Sequence, residues 1–345
     1  MTDRLPEARH IARWDLDKTY LQTEFDTLRD LLKTAFERAD EKRTTPGAST
    51  LIREMVHAGS AVHILSGSPE QMRRRLEAKL RLDGVSWDSF TLKPNLRNLF
   101  RFRFRAIRDQ LGYKLPALLQ ARAEESRLHG ASRLETLFGD DAEADAFVYA
   151  LYADIVAGRV GEELLIQVCE RGRMYTDDIA SVLRYARMIE PADIVERVLI
   201  HLDRQVPPDK FYAYGPRLVP FYNYLQAALV LYEDGRLPAR AVLRVAVELV
   251  VQHHFDADAL ARSYLELVRR GHMQGFGLEG LRDELRIWAS QERVTQYEEL
   301  EGMLTRLTPT ALERASLNRR QELGEPPAYQ ELVRRQERRK KGFQR

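Results

Sequence analysis

Up to about residue 160, short apolar runs alternate with segments of helical spacing. "HIARWDL" predicts a buried strand, and residues 23–42 carry Leu28, Leu31, Leu32 and Phe36 on one helical face. "PGASTLIREMVHAG" predicts a helix opened by Pro46 and closed by Gly59, and "AVHILSGSP" a strand that runs into a turn. A helix over "PEQMRRRLEAKLRL", a strand "RLETLFGDD" ending in acids, and a helix over "ADAFVYALYADIVAG" follow. That alternation predicts an α/β fold, a parallel sheet with helices on both faces.

Beyond residue 160 the pattern reads as helical throughout, with helix starts at Thr176, Pro191, Pro238, Asp256 and the pair Thr308 and Pro309. The aromatic segment "FYAYGPRLVPFYNYLQ" interrupts it with Gly215, Pro216 and Pro220, and reads as a loop and helix start that pack their rings inward. A chain of 345 residues is long enough for two cores. The expected organisation is an α/β domain over 1–160, an all-helical domain over 161–330 and a basic tail over 331–345.

Composition narrows the classes. The 44% hydrophobic and 31% charged fractions are those of a globular protein, and a net charge of +2 gives no reason to expect nucleic acid. The tail "ELVRRQERRKKGFQR" holds seven Arg or Lys against two Glu, a solvated end for which peripheral membrane contact is the alternative. The single cysteine, Cys169, excludes an intramolecular disulfide and a multi-cysteine zinc site, and its apolar neighbours make it a packing residue. "MTDRLPEARHIAR" has no apolar core of a signal peptide and no 18-residue apolar run occurs, so a cytoplasmic protein is expected.

The candidate chemistry begins at "ARWDLDKTYLQ". In an open parallel sheet, ligands sit outside the carboxyl ends of the strands, where Asp15 and Asp17 would emerge. The first acid can attack phosphorus and form an aspartyl-phosphate, and the second can protonate the leaving oxygen and later activate water. Ser66 ends a second strand, where its hydroxyl and neighbouring amides suit a phosphoryl oxygen. Lys114, at an expected helix start, can neutralise phosphate and nucleophile. Asp140, Asp141 and Asp145 end a later strand and can complete an octahedral Mg²⁺ site with Asp15, the Asp17 carbonyl and waters. Which of the three touches the metal is open.

Together these elements resemble the haloacid-dehalogenase superfamily of aspartate-nucleophile phosphatases. "WDLDKT", "ILSGS", Lys114 and "FGDDAEAD" look like its four motifs in order. Within it, "DLDKTYL", "PGASTLIREM", "VHILSGSPEQM", "TLKPN" and "GDDAEADAFVY" resemble the catalytic domain of actin-patch-type phosphatidate phosphatases and their bacterial relatives, over roughly residues 10–160. The resemblance implies a Rossmann-like sheet, and the chain between the first and second motifs has no room for a large cap. The resemblance also implies a Mg²⁺-dependent phosphomonoester hydrolase with Asp15 as nucleophile, Asp17 as acid and base, and a phospholipid such as phosphatidate or another bulky molecule as substrate.

Two departures bear on specificity: Tyr113 stands where closer relatives carry a histidine, and Lys93 in "TLKPN" competes with Lys114 for the lysine role, with Lys114 preferred. Thr19, Gly67, Arg103 and Arg105 are the expected substrate-binding residues. The two arginines belong to "NLRNLFRFRFRAIRDQ", which reads either as an anion-binding patch or as a solvated basic face. "QHHFDAD" carries His253 and His254 side by side, pointing away from each other on a helix, so a second metal site is not expected. Phosphotransfer or phosphoprotein hydrolysis on the same scaffold, and a non-catalytic module whose helical half binds a protein partner, are the competing readings.

Overall fold

The computed structural model describes residues 10–21, 44–93, 107–129, 133–310, 313 and 326–342. Its centre is a six-stranded, all-parallel sheet built from β1 (His10–Asp15), β2 (Ser60–Pro69), β3 (Ser89–Lys93), β4 (Leu134–Asp140), β5 (Val195–His201) and β6 (Leu218–Phe221). The strand order is β3-β2-β1-β4-β5-β6. This is the doubly wound Rossmann order, in which the direction of strand addition reverses between β1 and β4.

Helices cover both faces. Against one face pack α1 (Ala48–His57), α2 (Arg73–Leu82), α7 (Tyr224–Glu233), α8 (Ala239–His253), α9 (Ala257–Arg269), α10 (Leu278–Gln291) and α11 (Tyr297–Arg306). Against the other pack α3 (Ile107–His129), α4 (Asp145–Val156), α5 (Glu162–Arg171), α6 (Thr176–Met188) and α12 (Tyr329–Gly342). A strand covered on both sides buries every residue, and all six of β1 are buried. Trp14 leaves it for the first face, stacking on Phe138 at 3.8 Å and on Tyr224 of α7 at 5.8 Å.

Arg13 leaves β1 for the second face, where its guanidinium meets Glu135 at 2.9 and 2.6 Å and Tyr152 donates to the same carboxylate at 2.7 Å. Burial alone would raise the Glu135 carboxyl, but the guanidinium and these hydrogen bonds bring it down to about 2.

The segment after residue 160 departs from the all-helical expectation. The stretch headed by Pro191 is the strand β5, and the aromatic segment supplies a 3₁₀ turn over Pro208–Tyr214 and the strand β6. Strand β3 was also absent from the sequence reading. Other starts hold: Pro238 precedes α8, and the Asp256 carboxylate caps α9 by accepting from the Ala259 amide at 2.7 Å. The expected helix over 23–42 and the residues Arg103 and Arg105 lie outside the described residues.

Leu199 sits at 0% exposure in the middle of β5, against the first-face core. Replacing it with alanine opens a cavity at the sheet centre, so Leu199→Ala is expected to cost about 2–5 kcal/mol. Urea unfolding followed by circular dichroism reads that cost as a lower midpoint at unchanged slope. A loss under about 1 kcal/mol would place Leu199 outside a packed core.

Candidate functional site

The carboxyl ends of β1 and β4, where the sheet changes direction, hold a cluster of buried acids around one ammonium. Asp15 is the last residue of β1 and is 1% exposed. Asp140 is the last of β4, Glu143 lies in the turn that follows, and Asp145 opens α4. The close approach of α4 to β4 requires Gly139, since a Cβ there would stand 2.6 Å from the Asp145 Cβ and 2.8 Å from the Tyr149 ring. Lys114 reaches in from α3, well inside the helix rather than at its start.

The Lys114 Nζ lies 2.8 Å from Asp15 Oδ1, 2.9 Å from Glu143 Oε2 and 2.5 Å from Asp145 Oδ1. It hydrogen-bonds Glu143 and Asp145, whereas its approach to Asp15 is one of charge only: both Asp15 oxygens are buried without a hydrogen bond. Of the two candidate lysines, Lys114 therefore faces the expected nucleophile. Lys93 ends β3 with its ammonium 5.5 Å above the Tyr113 ring, whose hydroxyl donates to the Ser66 carbonyl at 2.7 Å.

Burial pushes the Asp15 carboxyl well above its usual range, against the pull of Lys114, and the acids Asp145, Glu143 and Asp140 push the same way. Asp140 is raised by burial and by Asp145 and Glu143, although its Oδ1 accepts from the Ala142 and Glu143 amides at 2.6 and 3.0 Å. Burial takes Asp145 to about 6, with Lys114 opposing. Burial would lower Lys114, but Asp145, Asp15 and Glu143 hold it well above its ordinary value. The single ammonium does not neutralise this much carboxylate.

That excess is what a hard cation would relieve. Asp15, Glu143 and Asp145 each offer an oxygen within 4.8 Å of the others, a group that could hold a metal ion. The all-oxygen donor set and the two unbonded Asp15 oxygens fit such an ion.

Beside the cluster, the half-buried Asp17 accepts from the hydroxyls of Ser66 at 2.8 Å and Ser68 at 3.0 Å. The Ser66 oxygen in turn accepts from the Ser68 amide at 3.0 Å, so its proton is committed to Asp17. A Cβ at Gly67 would meet nothing within 4 Å, leaving open space between the two serines. The Thr19 hydroxyl points at Asp140 Oδ2 at 3.5 Å, and its carbonyl accepts from the Tyr224 hydroxyl at 2.7 Å. The loop between them turns at Lys18 with φ 60.

The structure thus brings Asp15, Asp17, Ser66, Thr19, Lys114 and Asp140 to one edge of the sheet. Asp141 stands apart, with both carboxylate oxygens accepting amides of the loop after β5, Arg204 at 2.8 Å and Val206 at 2.9 Å. Glu143, a member of the metal-capable group, was missed by the sequence reading. The signal available was its place three residues after Asp140, on the turn that leads into α4.

Compared with known proteins, the chain matches no family model, and no curated protein or solved structure matches it significantly. Among the described residues no helix is long and apolar enough to cross a membrane.

The raised carboxyls set a pH-dependent cost. Asp15 holds a proton in the folded state over a range where the unfolded chain has lost it, so its contribution to stability falls as pH rises from about 4. Without divalent cations, Asp15→Asn is expected to be more stable than wild type at pH 7.5 by about 1–3 kcal/mol. The gap closes as pH is lowered through about 4, below which Asp15 is neutral in both states. Thermal melts of both proteins in EDTA across that range check it, and a gap that widens on acidification would refute the burial argument.

Proposed function

We propose that this protein is a Mg²⁺-dependent phosphomonoester hydrolase that works through an aspartyl-phosphate on Asp15. The observation that carries the reading is the pairing of Asp15 with Lys114 at the strand switch point, with both Asp15 oxygens free of hydrogen bonds. A carboxylate hydrogen-bonded on all sides makes a poor nucleophile, whereas Asp15 accepts no hydrogen bond on either oxygen, and the Lys114 ammonium opposes the burial that raises its carboxyl. The motif resemblance points the same way.

In this mechanism an Asp15 oxygen attacks phosphorus and the bond to the leaving oxygen breaks. Asp17 delivers a proton to that oxygen, so the alcohol departs neutral. Asp17, now a carboxylate, takes a proton from water as the water attacks the acyl phosphate, which regenerates Asp15 and releases phosphate. The Ser66 and Ser68 hydroxyls hold Asp17 beside the reacting centre. Lys114 offsets the charge on Asp15 and on the incoming phosphoryl group. Mg²⁺, held by Asp15, Glu143 and Asp145 with Asp140 adjacent, would supply further neutralisation of phosphoryl charge. The substrate class suggested by the resemblance is a bulky phosphomonoester such as phosphatidate, with the open space beside Gly67 as the side of entry.

Phosphate release is to be measured from an aryl phosphate and from a panel that includes phosphatidate, with Mg²⁺ or EDTA. Activity is expected to require Mg²⁺ and to vanish in Asp15→Asn, while Asp17→Asn lowers kcat by about 10²–10⁴. The kcat deficit of Asp17→Asn should shrink for substrates with acidic leaving groups, which need no proton. Full activity in folded Asp15→Asn would rule out the aspartyl-phosphate.

A further inference from the structure

Tyr224 opens α7, in the part of the chain beyond residue 160, yet it reaches the loop that carries Asp17. It is fully buried, and its ring stacks on Trp14 at 5.8 Å and on His201 at 5.5 Å, with Phe221 edge-on at 5.1 Å. Those contacts belong to the ring. The hydroxyl makes a separate one, donating to the Thr19 carbonyl at 2.7 Å.

The peptide unit between Thr19 and Tyr20 is held from both sides. Its carbonyl accepts from Tyr224, and its N–H donates at 3.1 Å to the Leu16 carbonyl, which also accepts from the Leu21 amide at 2.9 Å. These bonds close residues 16–21 into one turn, with Asp17 inside it and Lys18 at φ 60. The turn is backed by the Thr45 amide, which donates to the Tyr20 carbonyl at 2.8 Å, and next to it Gly47 packs so tightly on α7 that a Cβ would stand 2.9 Å from the Tyr224 Cβ. Thr19 is 0% exposed, so bulk water does not reach its carbonyl. A buried carbonyl without a donor is costly, and rotating the peptide toward another donor breaks its bond to Leu16. Burial, with Asp140 and Asp15 adding to it, holds the Tyr224 phenol well above its ordinary range, so the hydroxyl keeps its proton for this bond.

We propose that Tyr224 is a positioning residue for proton transfer: its hydroxyl, acting through the peptide between Thr19 and Tyr20, sets where Asp17 stands relative to Asp15. The assignment rests on the hydrolase reading above, and it gives the helical layer beyond residue 160 a part in that reaction. Ser66 and Ser68 hold the Asp17 carboxylate, but they can aim it only from a backbone that is already in place, and Tyr224 fixes that backbone. A misplacement on the order of 1 Å is enough to cost about 10²-fold in a step that needs hydrogen-bond contact. The ring alone does not supply this, since phenylalanine keeps the stacks and loses only the donor.

Two measurements on the full chain compare Tyr224→Phe with wild type, after a melting curve has established that the variant is folded. In steady-state kinetics with Mg²⁺, kcat for phenyl phosphate is expected to fall about tenfold or more, kcat for p-nitrophenyl phosphate less than about threefold, and KM to stay within about twofold. A general loss of packing would lower both rates alike, whereas lost proton delivery spares the more acidic leaving group. In the Asp17→Asn background, Tyr224→Phe is expected to add nothing. Equal losses on the two esters, or a further loss in that background, overturn the proposal. Amide hydrogen exchange in EDTA, read by mass spectrometry, needs no activity: exchange within residues 16–21 is expected to rise about tenfold in Tyr224→Phe while β4 stays protected. Unchanged protection of that turn overturns the proposal. Should the variant fail to fold, a wild-type turn that exchanges without protection has the same force. A wild type that releases no phosphate from any ester tested overturns the hydrolase reading and the catalytic role with it, whereas an active wild type matched by Tyr224→Phe overturns the role alone.

Discussion

The Lys114 ammonium, fully buried among Asp15, Glu143 and Asp145, is the interaction on which the carboxyl edge of the sheet depends. It ties three separate pieces of chain, α3, β1 and the β4–α4 junction, through one charge. A buried ion left without its partner costs several kcal/mol, so none of these pieces can shift alone. The geometry is lopsided in charge, because one cation meets more than one anion's worth of carboxylate. Packing does not cure this excess. Either protons or a bound cation must offset it, and a site whose acids are raised by burial is one in which both are available near neutral pH.

The fold puts that cluster at the point where the strand order reverses. In the order β3-β2-β1-β4-β5-β6, the connections leaving β1 and β4 diverge to opposite faces, and the carboxyl ends at such a point are where open parallel sheets place their ligands. Elsewhere the same strands are covered: Trp14 is sandwiched by Phe138 and Tyr224, and Arg13 is neutralised by Glu135. Consecutive residues of β1 therefore serve different ends. Arg13 and Trp14 anchor the strand to its two layers, and Asp15, one step further, joins the acid cluster at the strand's carboxyl end.

This division explains what could be read in advance. Strands β1, β2 and β4 are short apolar runs that lead into Asp15, into the irregular Ser66–Ser68 end of β2 and into Asp140, and a run ending in polar residues is legible as a strand meeting a site. Strand β5 was not legible, because Ile194, Val195, Val198, Leu199 and Leu202 fall at helical spacing as well as in a strand. Arg197 then mimicked a solvated helix position, although it is buried and paired with Asp234 at 2.6 and 2.7 Å. Strand β6 contains Pro220, which removes a ladder donor and argues against an interior strand. It is tolerated because β6 is the last strand of the sheet. Glu143 escaped because nothing in the spacing of a turn says which of its acids points inward.

Helix α4 shows how charge is distributed between the two edges. Its first residue, Asp145, is a buried acid, and Arg159 lies just beyond its last turn. The helix dipole favours an anion at the first end and a cation at the second. At the first end it acts against burial, which on its own would protonate Asp145, and so helps keep a carboxylate charged beside Lys114. At the second end the field of the last turn favours the Arg159 guanidinium, which pairs with Asp154. Asp145 and Arg159 thus stand at opposite ends of one element whose intrinsic field suits each of them, Asp154 offsets the arginine's charge, and the buried residues from Phe147 to Val156 keep water from screening that field.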